Sequence, residues 1–456
     1  MVIYELIKGG EATATSKPNN ELSNAVAAAD NALLSPHEDD IETGVRNATN
    51  TSQEKEEAPA ARGSRLVSLD VFRGLTVALM IFVDYAGAFL PAINHSPWNG
   101  ITLADVVMPF FLFIVGVALA LTYKRVSSKA IATKKAVLRA MKLFIVGLIV
   151  QGGFFHGVHN LTYGVDILRI RWMGILQRIA VAYLLAAICE IWLKNDDDDS
   201  DVYSGYSLIR RYRFQLLVSL ILTTIYMVLL YGSYVPDWEY QIPVAGSKTK
   251  SFSVKCGVRG DIGPACNAVG MIDRQVLGIQ HLYQRPVYER TKQCSINSPA
   301  SGPLPSDAPP WCQAPFDPEG LLSSVMAIVT CLIGLQFGHA IIHFKGHKNR
   351  IIQWMIPSIF LVVFAFLLDF GFGMHMNKAL YTLSYTCFTT GVAGILFTGL
   401  YVLVDVCGCR KPTLAVEWLG MHALMIYILI GCNILPVFIQ GFYWREPKNN
   451  VVSSLI

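Results

Sequence analysis

One imidazole and two carboxylates are the residues of this chain whose types and spacing could do chemistry together. Asp84 lies near the end of an apolar run over 67–90, Asp105 near the start of the next run over 102–123, and His95 in the link between them. If both runs are helices, the two carboxylates lie about 9 and 5 Å below the same end, at a rise of about 1.5 Å per residue. A neighbouring carboxylate fixes the tautomer of a histidine and raises its basicity, which predicts a general base at His95. A solvated histidine in a plain helical hairpin is the alternative.

The link that carries His95 has the composition of a specified turn. It reads NHSPWNG over 94–100. Pro97 and the Asn99-Gly100 pair favour a tight turn, and Trp98 is typical of a membrane–water interface. We therefore expect a fixed turn at the mouth of a site, with Trp98 and Asn99 contacting the substrate.

A polar pair, Gln177 and Arg178, opens a further apolar run over 175–193. We expect Arg178 to pair with Asp84 or Asp105, because an unpaired charge inside a membrane is expensive. A purely structural ion pair is compatible with a role in substrate binding, which we predict for both residues of the pair.

At the opposite end of the first run, Asp70 and Arg73 have the i,i+3 spacing at which helix side chains pair. Together with Arg125, in the basic link after the second run, they predict a positive mouth that attracts the phosphates of a cofactor. Charge that only sets the topology is the alternative.

Long apolar segments must position these residues. Of the 456 residues, 53% are apolar and 15% charged, and the mean hydropathy is +0.42, which is too apolar for an ordinary soluble domain. Nine runs approach the roughly 20 residues that a spanning helix needs: 67–90, 102–123, 136–155, 175–193, 214–234, 320–343, 351–370, 380–404 and 413–439. The sequence therefore predicts an all-α, polytopic transmembrane bundle of about nine spans in a lipid bilayer.

The sequence has neither a basic face interleaved with aromatics nor a metal-spaced His/Glu motif, so we expect no nucleic-acid partner and no metal.

The charge of the links sets the orientation. The link after the second run carries seven Lys or Arg residues over 124–142, and the link over 91–101 carries none. By the positive-inside rule the former is cytosolic and the latter faces the lumen or the exterior. The predicted segments are a disordered cytosolic tail (1–64), five spans with the catalytic hairpin (65–234), a luminal loop (235–319), four spans (320–440) and a C-terminal tail (441–456).

The luminal loop holds four of the ten cysteines: Cys256, Cys266, Cys294 and Cys312. On an oxidising face an even set of loop cysteines predicts two disulfides, in one of three pairings. A zinc site is the rival interpretation, which the lack of a CxxC spacing disfavours.

Two short motifs bear on location. Asn160-Leu161-Thr162 is a glycosylation sequon on the predicted luminal side. The string from Asp30 to Leu34 has the form of an acidic dileucine sorting signal, which suits a lysosomal or vacuolar membrane, with the plasma membrane as the alternative.

Several segments resemble the core of the heparan-α-glucosaminide N-acetyltransferase family. The most specific are the S-x-D-x-F-R-G string from Ser68 and the H-x-x-W-N-G-[IL]-T-x-A-D string from His95, and the similarity continues through GILQRIAVAY (174–183), FDPEGLLSSV (316–325) and LYTLSYT (380–386). It covers most of residues 65–435. The larger family members begin with a luminal domain and a further span, and usually carry one more helix near the C-terminus.

The resemblance implies a helical-bundle enzyme that takes acetyl-CoA from the cytosol and acetylates an amino sugar in the lumen. It implies that His95 is catalytic and that Asp105 is the aspartate of the T-x-A-D string. Asp84 stands where the family has an asparagine, so its role in handling the oxyanion or the amine is open. Family analogy also suggests a homodimer.

The sequence leaves three alternatives open. His95 is either a general base or a transiently acetylated nucleophile. A membrane transporter with an Asp84, Asp105 and Arg178 relay is the alternative from another class. A sugar O-acyltransferase is a third possibility.

Overall fold

The computed structural model describes residues 66–87, 90, 92–155, 163–165, 170–194, 205–244, 248–283 and 286–431. Within these ranges the helices are α1 (Val67–Ala86), α2 (Leu103–Thr122), α3 (Lys129–Gly152), α4 (Ile175–Trp192), α5 (Gly205–Arg211), α6 (Arg213–Gly232), α7 (Ala268–Val276), α8 (Leu321–His343), α9 (His347–Phe366), α10 (Leu383–Tyr401), α11 (Leu414–Met421) and α12 (Ala423–Gly431). The π-helical turns Leu367–Gly371 and Val402–Val406 continue α9 and α10. The predicted N-terminal tail, the sequon at Asn160 and the predicted C-terminal tail lie outside the described residues.

The chain folds as a helical membrane bundle, and a helix lies at each of the nine predicted runs. Six of them, α2, α4, α6, α8, α9 and α10, are individually long and apolar enough to cross a membrane, and α11 with α12, bent by 71°, would make a seventh. The count of nine is therefore not confirmed. The two long helices outside this set, α1 and α3, are left out because they are charged: α1 carries three charged residues and α3 carries five.

Close contact between glycines and backbone fixes α2 against α8. A Cβ atom at Gly116 would lie 2.0 Å from the carbonyl oxygen of Cys331, and one at Gly334 would lie 2.1 Å from that of Phe113. Small residues at such crossings let membrane helices approach until their backbones touch. This crossing holds α2, which carries Asp105, in the centre of the bundle.

The insertion over 235–319 contains short antiparallel strands: β3 (Tyr234–Val235) pairs with β6 (Val258–Arg259), and β4 (Trp238–Val244) with β5 (Lys248–Val254). A further hairpin, β1 (Gly153–Phe155) with β2 (Tyr163–Val165), follows α3. Disulfides join Cys256 to Cys266 and Cys294 to Cys312. The prediction of two disulfides is confirmed, and the zinc alternative fails because all four thiols are used.

Candidate active site

His95 and Asp105 are in direct contact at one end of the bundle, which we call the His95 end. The ring nitrogen Nδ1 of His95 lies 2.8 Å from Oδ1 of Asp105. The Asp105 side chain is fully buried, whereas that of His95 is 45% exposed. A carboxylate at this distance favours the tautomer with the proton on Nδ1, in which Nε2 is the basic nitrogen. The predicted contact between the His95 imidazole and Asp105 is therefore present.

The start of α2 explains why Asp105 is held so firmly. Its Oδ2 accepts hydrogen bonds from the backbone N–H and the hydroxyl of Thr102, at 3.1 and 3.0 Å, and from the N–H of Ser96 at 3.1 Å. An acidic residue in the third helical position commonly reaches back in this way to the residue before the helix. The hydroxyl of Tyr385 donates to the Asp105 carbonyl oxygen at 2.6 Å. The hairpin of α1 and α2 is therefore joined to α10 at this residue.

A lysine that the sequence interpretation missed completes the cluster. Lys378, in the loop before α10, places Nζ 2.9 Å from Nδ1 and 3.3 Å from Nε2 of His95, and 3.7 Å from Oδ1 of Asp105. Burial lowers the pKa of the Lys378 ammonium. The surrounding protein partly desolvates the half-exposed His95 ring, and this desolvation and the Lys378 charge lower the pKa of His95. Its imidazole therefore stays neutral at pH values where a free histidine would be protonated.

The insertion contributes to the same cluster from outside the bundle. The guanidinium of Arg290 donates to the backbone carbonyl oxygen of His95. Trp98 is 8% exposed and packs edge-on against Tyr288 and Phe316, with centroids 6.0 and 5.7 Å away. Its Nε1 donates to the Ile262 carbonyl oxygen at 3.0 Å. Trp98 is thus buried beneath the insertion, and not at an open membrane interface as predicted.

One cavity of about 990 Å³ runs along the bundle from the His95 end to the opposite end, which we call the Arg73 end. At the His95 end it is lined by His95, Asp84, Lys378 and Glu319. At the Arg73 end it is lined by Asp70, Arg73, Lys124, Arg139 and Arg350. Apolar side chains of α1, α2, α4 and α12 line the length between them. This volume is in the range of pockets that bury a whole cofactor.

At the Arg73 end the predicted pair forms. Nη1 of Arg73 lies 3.2 Å from Oδ1 of Asp70, and it donates to the Gly420 carbonyl oxygen at 3.4 Å. Arg125 does not line the large cavity. It lies instead in a smaller cleft of about 420 Å³ with Lys124.

Arg178 does not pair with Asp84 or Asp105, so that prediction is wrong. Its guanidinium donates to the Ser324 hydroxyl at 3.2 Å, to the Pro318 carbonyl oxygen at 2.8 Å and to the Ser323 hydroxyl. Two serine hydroxyls in the first turn of α8 and a carbonyl oxygen just before it accept these hydrogen bonds, and nothing in the sequence identifies them as partners of Arg178. Arg178 therefore ties α4 to α8 beneath the insertion.

The other predicted site residues lie around the cluster. Asp84 lines the cavity, and in the described part of the chain it has no hydrogen-bonding partner. Asn99 accepts a hydrogen bond from the side chain of Asn377, the neighbour of Lys378, at 3.2 Å. Gln177 is buried against Gly147 and does not line the cavity, and its amide atoms have no partner among the described residues.

Lys378, Arg290 and the Arg171 ion pairs are the site features that sequence reasoning missed. Arg171 binds Asp317 through two hydrogen bonds of 2.9 and 2.6 Å and also contacts Glu319, which lines the cavity. A signal for Lys378 was present. A lysine just before a span, on the side where the positive-inside rule disfavours Lys and Arg, is a candidate for function.

Fold and site together define a polytopic helical membrane protein with a histidine–aspartate–lysine cluster at one end of an intramembrane cavity. A family model described as heparan-alpha-glucosaminide N-acetyltransferase, catalytic, matches residues 65–195, which include α1 to α4 and His95. The mouse heparan-alpha-glucosaminide N-acetyltransferase is 29% identical over 426 residues, which cover 88% of this chain and 58% of the mouse protein. The human protein of that name is 28% identical over 413 residues, covering 84% and 55%. The resemblance is confirmed, and this chain spans less than three fifths of the length of both relatives.

Proposed function

We propose that this protein is a transmembrane N-acetyltransferase that moves an acetyl group from acetyl-CoA to the amine of an amino-sugar acceptor. The observation that carries the proposal is the single cavity that touches both the cationic Arg73 end and His95. The similarity to two N-acetyltransferases over most of the chain supports it.

The two ends of the cavity suit the two ends of acetyl-CoA. Four cationic side chains at the Arg73 end, from Arg73, Lys124, Arg139 and Arg350, offer partners for the phosphates of the nucleotide. The apolar walls suit the pantetheine arm, which would carry the thioester along the bundle. Asp70 and Asp84 are 14 residues apart on α1, a rise of about 21 Å, so the cavity joins groups separated by much of the roughly 30 Å hydrocarbon core.

The chain's own residues would act as follows. Asp105 holds the proton on Nδ1 of His95, and the lowered pKa keeps the ring neutral. Nε2 takes a proton from the acceptor amine while the new N–C bond forms and the C–S bond of the thioester breaks. The Lys378 ammonium stabilises the negative charge on the carbonyl oxygen, and the leaving thiolate takes the proton that Nε2 holds, which returns His95 to its neutral form. In the other mechanism Nε2 itself attacks the thioester carbonyl carbon, and the acetyl-imidazole that forms is then attacked by the acceptor amine.

The central test compares His95→Ala with His375→Ala in purified protein. His375 is a matched control because its ring also contacts a carboxylate, Asp369, at 3.1 Å, and it does not line the cavity. We expect acetyl transfer to be lost in His95→Ala and kept in His375→Ala, with acetyl-CoA binding intact in both. Equal activity in the two variants would refute the proposal.

Three further assays separate the open alternatives. Quench-trapping with radiolabelled acetyl-CoA under denaturing conditions near neutral pH leaves label on the protein if His95 is acetylated, whereas a mechanism in which His95 is only a base leaves none. A transporter would instead give substrate uptake into proteoliposomes that survives His95→Ala. Analysis of the product distinguishes N-acetyl from O-acetyl transfer. Residence in a lysosomal or vacuolar membrane and a homodimer stay predictions.

A further inference from the structure

Two thiols lie on the surface where α10 ends. Cys407 and Cys409 follow the π-helical turn Val402–Val406, and both are exposed, whereas the other free cysteines among the described residues are buried. Gly408 between them has φ of +69°, a left-handed turn that glycine adopts readily. The N–H of Cys407 bonds to the Val402 carbonyl oxygen at 2.8 Å, and that of Cys409 to the Leu403 carbonyl oxygen at 3.1 Å. The thiols are therefore held on the end of a helix and presented outward.

The surface changes character at these thiols. Leu403 and Val406, just before them, are 41% and 43% exposed, as expected for side chains that face lipid tails. Leu414, just after them, is 67% exposed. Between these apolar positions the exposed run continues with Arg410 and Lys411. An apolar face that ends in basic residues marks the boundary between hydrocarbon and headgroups on the predicted cytosolic side.

We propose that Cys407 and Cys409 are sites of S-acylation by a long-chain fatty acyl-CoA. A thiolate attacks the carbonyl carbon of the acyl thioester, the bond from that carbon to the CoA sulfur breaks, and CoA leaves as a thiol with the proton that the cysteine lost. The product is a fatty thioester whose chain enters the bilayer beside Leu403 and Val406. On the cytosolic side reducing conditions disfavour a disulfide as the fate of these thiols.

The acylated segment would lie next to the Arg73 end of the cavity. Oδ2 of Asp405, two residues before Cys407, accepts a hydrogen bond from the N–H of Ser68 at 3.2 Å, which joins this segment to the start of α1. Arg73 and Asp70 follow on the same helix and line the cavity. Acyl chains at Cys407 and Cys409 would thus hold the rim of the predicted cofactor entrance at the membrane surface. The modification does not depend on the proposed acetyl transfer.

The test uses the full chain expressed in eukaryotic cells that are fed an alkynyl fatty acid, followed by conjugation to a fluorophore. We expect label that hydroxylamine removes, falling to about half in Cys407→Ser or Cys409→Ser and to background in the double variant. Cys387→Ser is the matched control, because Cys387 is a free but buried cysteine near the opposite end of α10. It should label like the native chain.

Expression level and thermal midpoint should be unchanged in all the Cys407 and Cys409 variants, since both side chains are exposed. Absence of hydroxylamine-sensitive label from the native chain would overturn the proposal. So would full labelling of the double variant, which would move the modification elsewhere.

Discussion

Replacing Asp105 by asparagine tests the proposed role of the cluster most directly. The carboxylate accepts from Nδ1 of His95 through one oxygen, and from Thr102 and Ser96 through the other. An amide has only one acceptor oxygen, so its NH₂ group must face donors in either orientation. If the NH₂ group faces His95, it favours the tautomer with the proton on Nε2, and the basic nitrogen is lost.

The magnitude follows from this geometry. A positioned general base contributes about 10²- to 10⁴-fold to rate, so we expect Asp105→Asn to lower kcat by a factor in that range. Because His95 lies at the opposite end of the cavity from the proposed nucleotide site, the KM for acetyl-CoA should change little. The variant also loses charge-assisted hydrogen bonds in a buried place, each of about 1.5–3 kcal/mol, so its free energy of unfolding should fall by several kcal/mol.

Steady-state acetyl transfer is the assay, with thermal unfolding measured in parallel. Asp317→Asn is the matched control, because Asp317 is equally buried and ion-paired, to Arg171, at the same end of the bundle, yet it does not contact His95. It should lose stability and keep most of its kcat. If Asp105→Asn retains a kcat within about threefold of the native value, while His95→Ala is inactive, the orienting role is refuted.

Three further changes have defined outcomes. Lys378→Met removes a positive charge that helps to lower the pKa of His95. The pKa of His95 should therefore rise, and the acid limb of the profile of kcat/KM against pH should shift to higher pH. An unchanged acid limb would contradict the contact between Lys378 and His95. Removing the Cys294–Cys312 disulfide, whose cysteines are 18 positions apart in the sequence, should lower the free energy of unfolding by about 3 kcal/mol in denaturant titrations. Gly116→Ala should cost about 1–3 kcal/mol because its Cβ meets backbone, and Gly399→Ala, whose Cβ would meet nothing within 4 Å, should cost none.

The helices and the disulfides could be predicted because their signals are local. Apolar length alone placed a helix at each of nine runs, and an even number of cysteines in one insertion predicted two bridges. Which runs span the membrane was harder to predict. Composition does not decide whether α1 and α3 cross the membrane, because both helices carry charged residues. The bend between α11 and α12 has no proline that would predict it.

The contact of His95 with Asp105 was also local, because ten residues and a turn separate them. Lys378 and Arg290 were missed because they come 283 and 195 residues later, from a loop and an insertion whose docking the sequence does not specify. Arg178 was assigned the wrong partners for the opposite reason. A buried guanidinium was expected to need a carboxylate, whereas two serine hydroxyls and a carbonyl oxygen accept its hydrogen bonds.

The charged groups around His95 act together on the imidazole and on any charged group that enters the cavity. Asp105 is enclosed, and both its oxygens are occupied, so its charge holds the imidazole and Lys378 in place. Lys378 and Arg290 both approach His95, one at the ring and one at the backbone. Asp84 lines the cavity without a hydrogen-bonding partner among the described residues. A cationic amine entering here would therefore be attracted by Asp84, whereas repulsion by the Lys378 charge would favour its deprotonation beside the neutral His95.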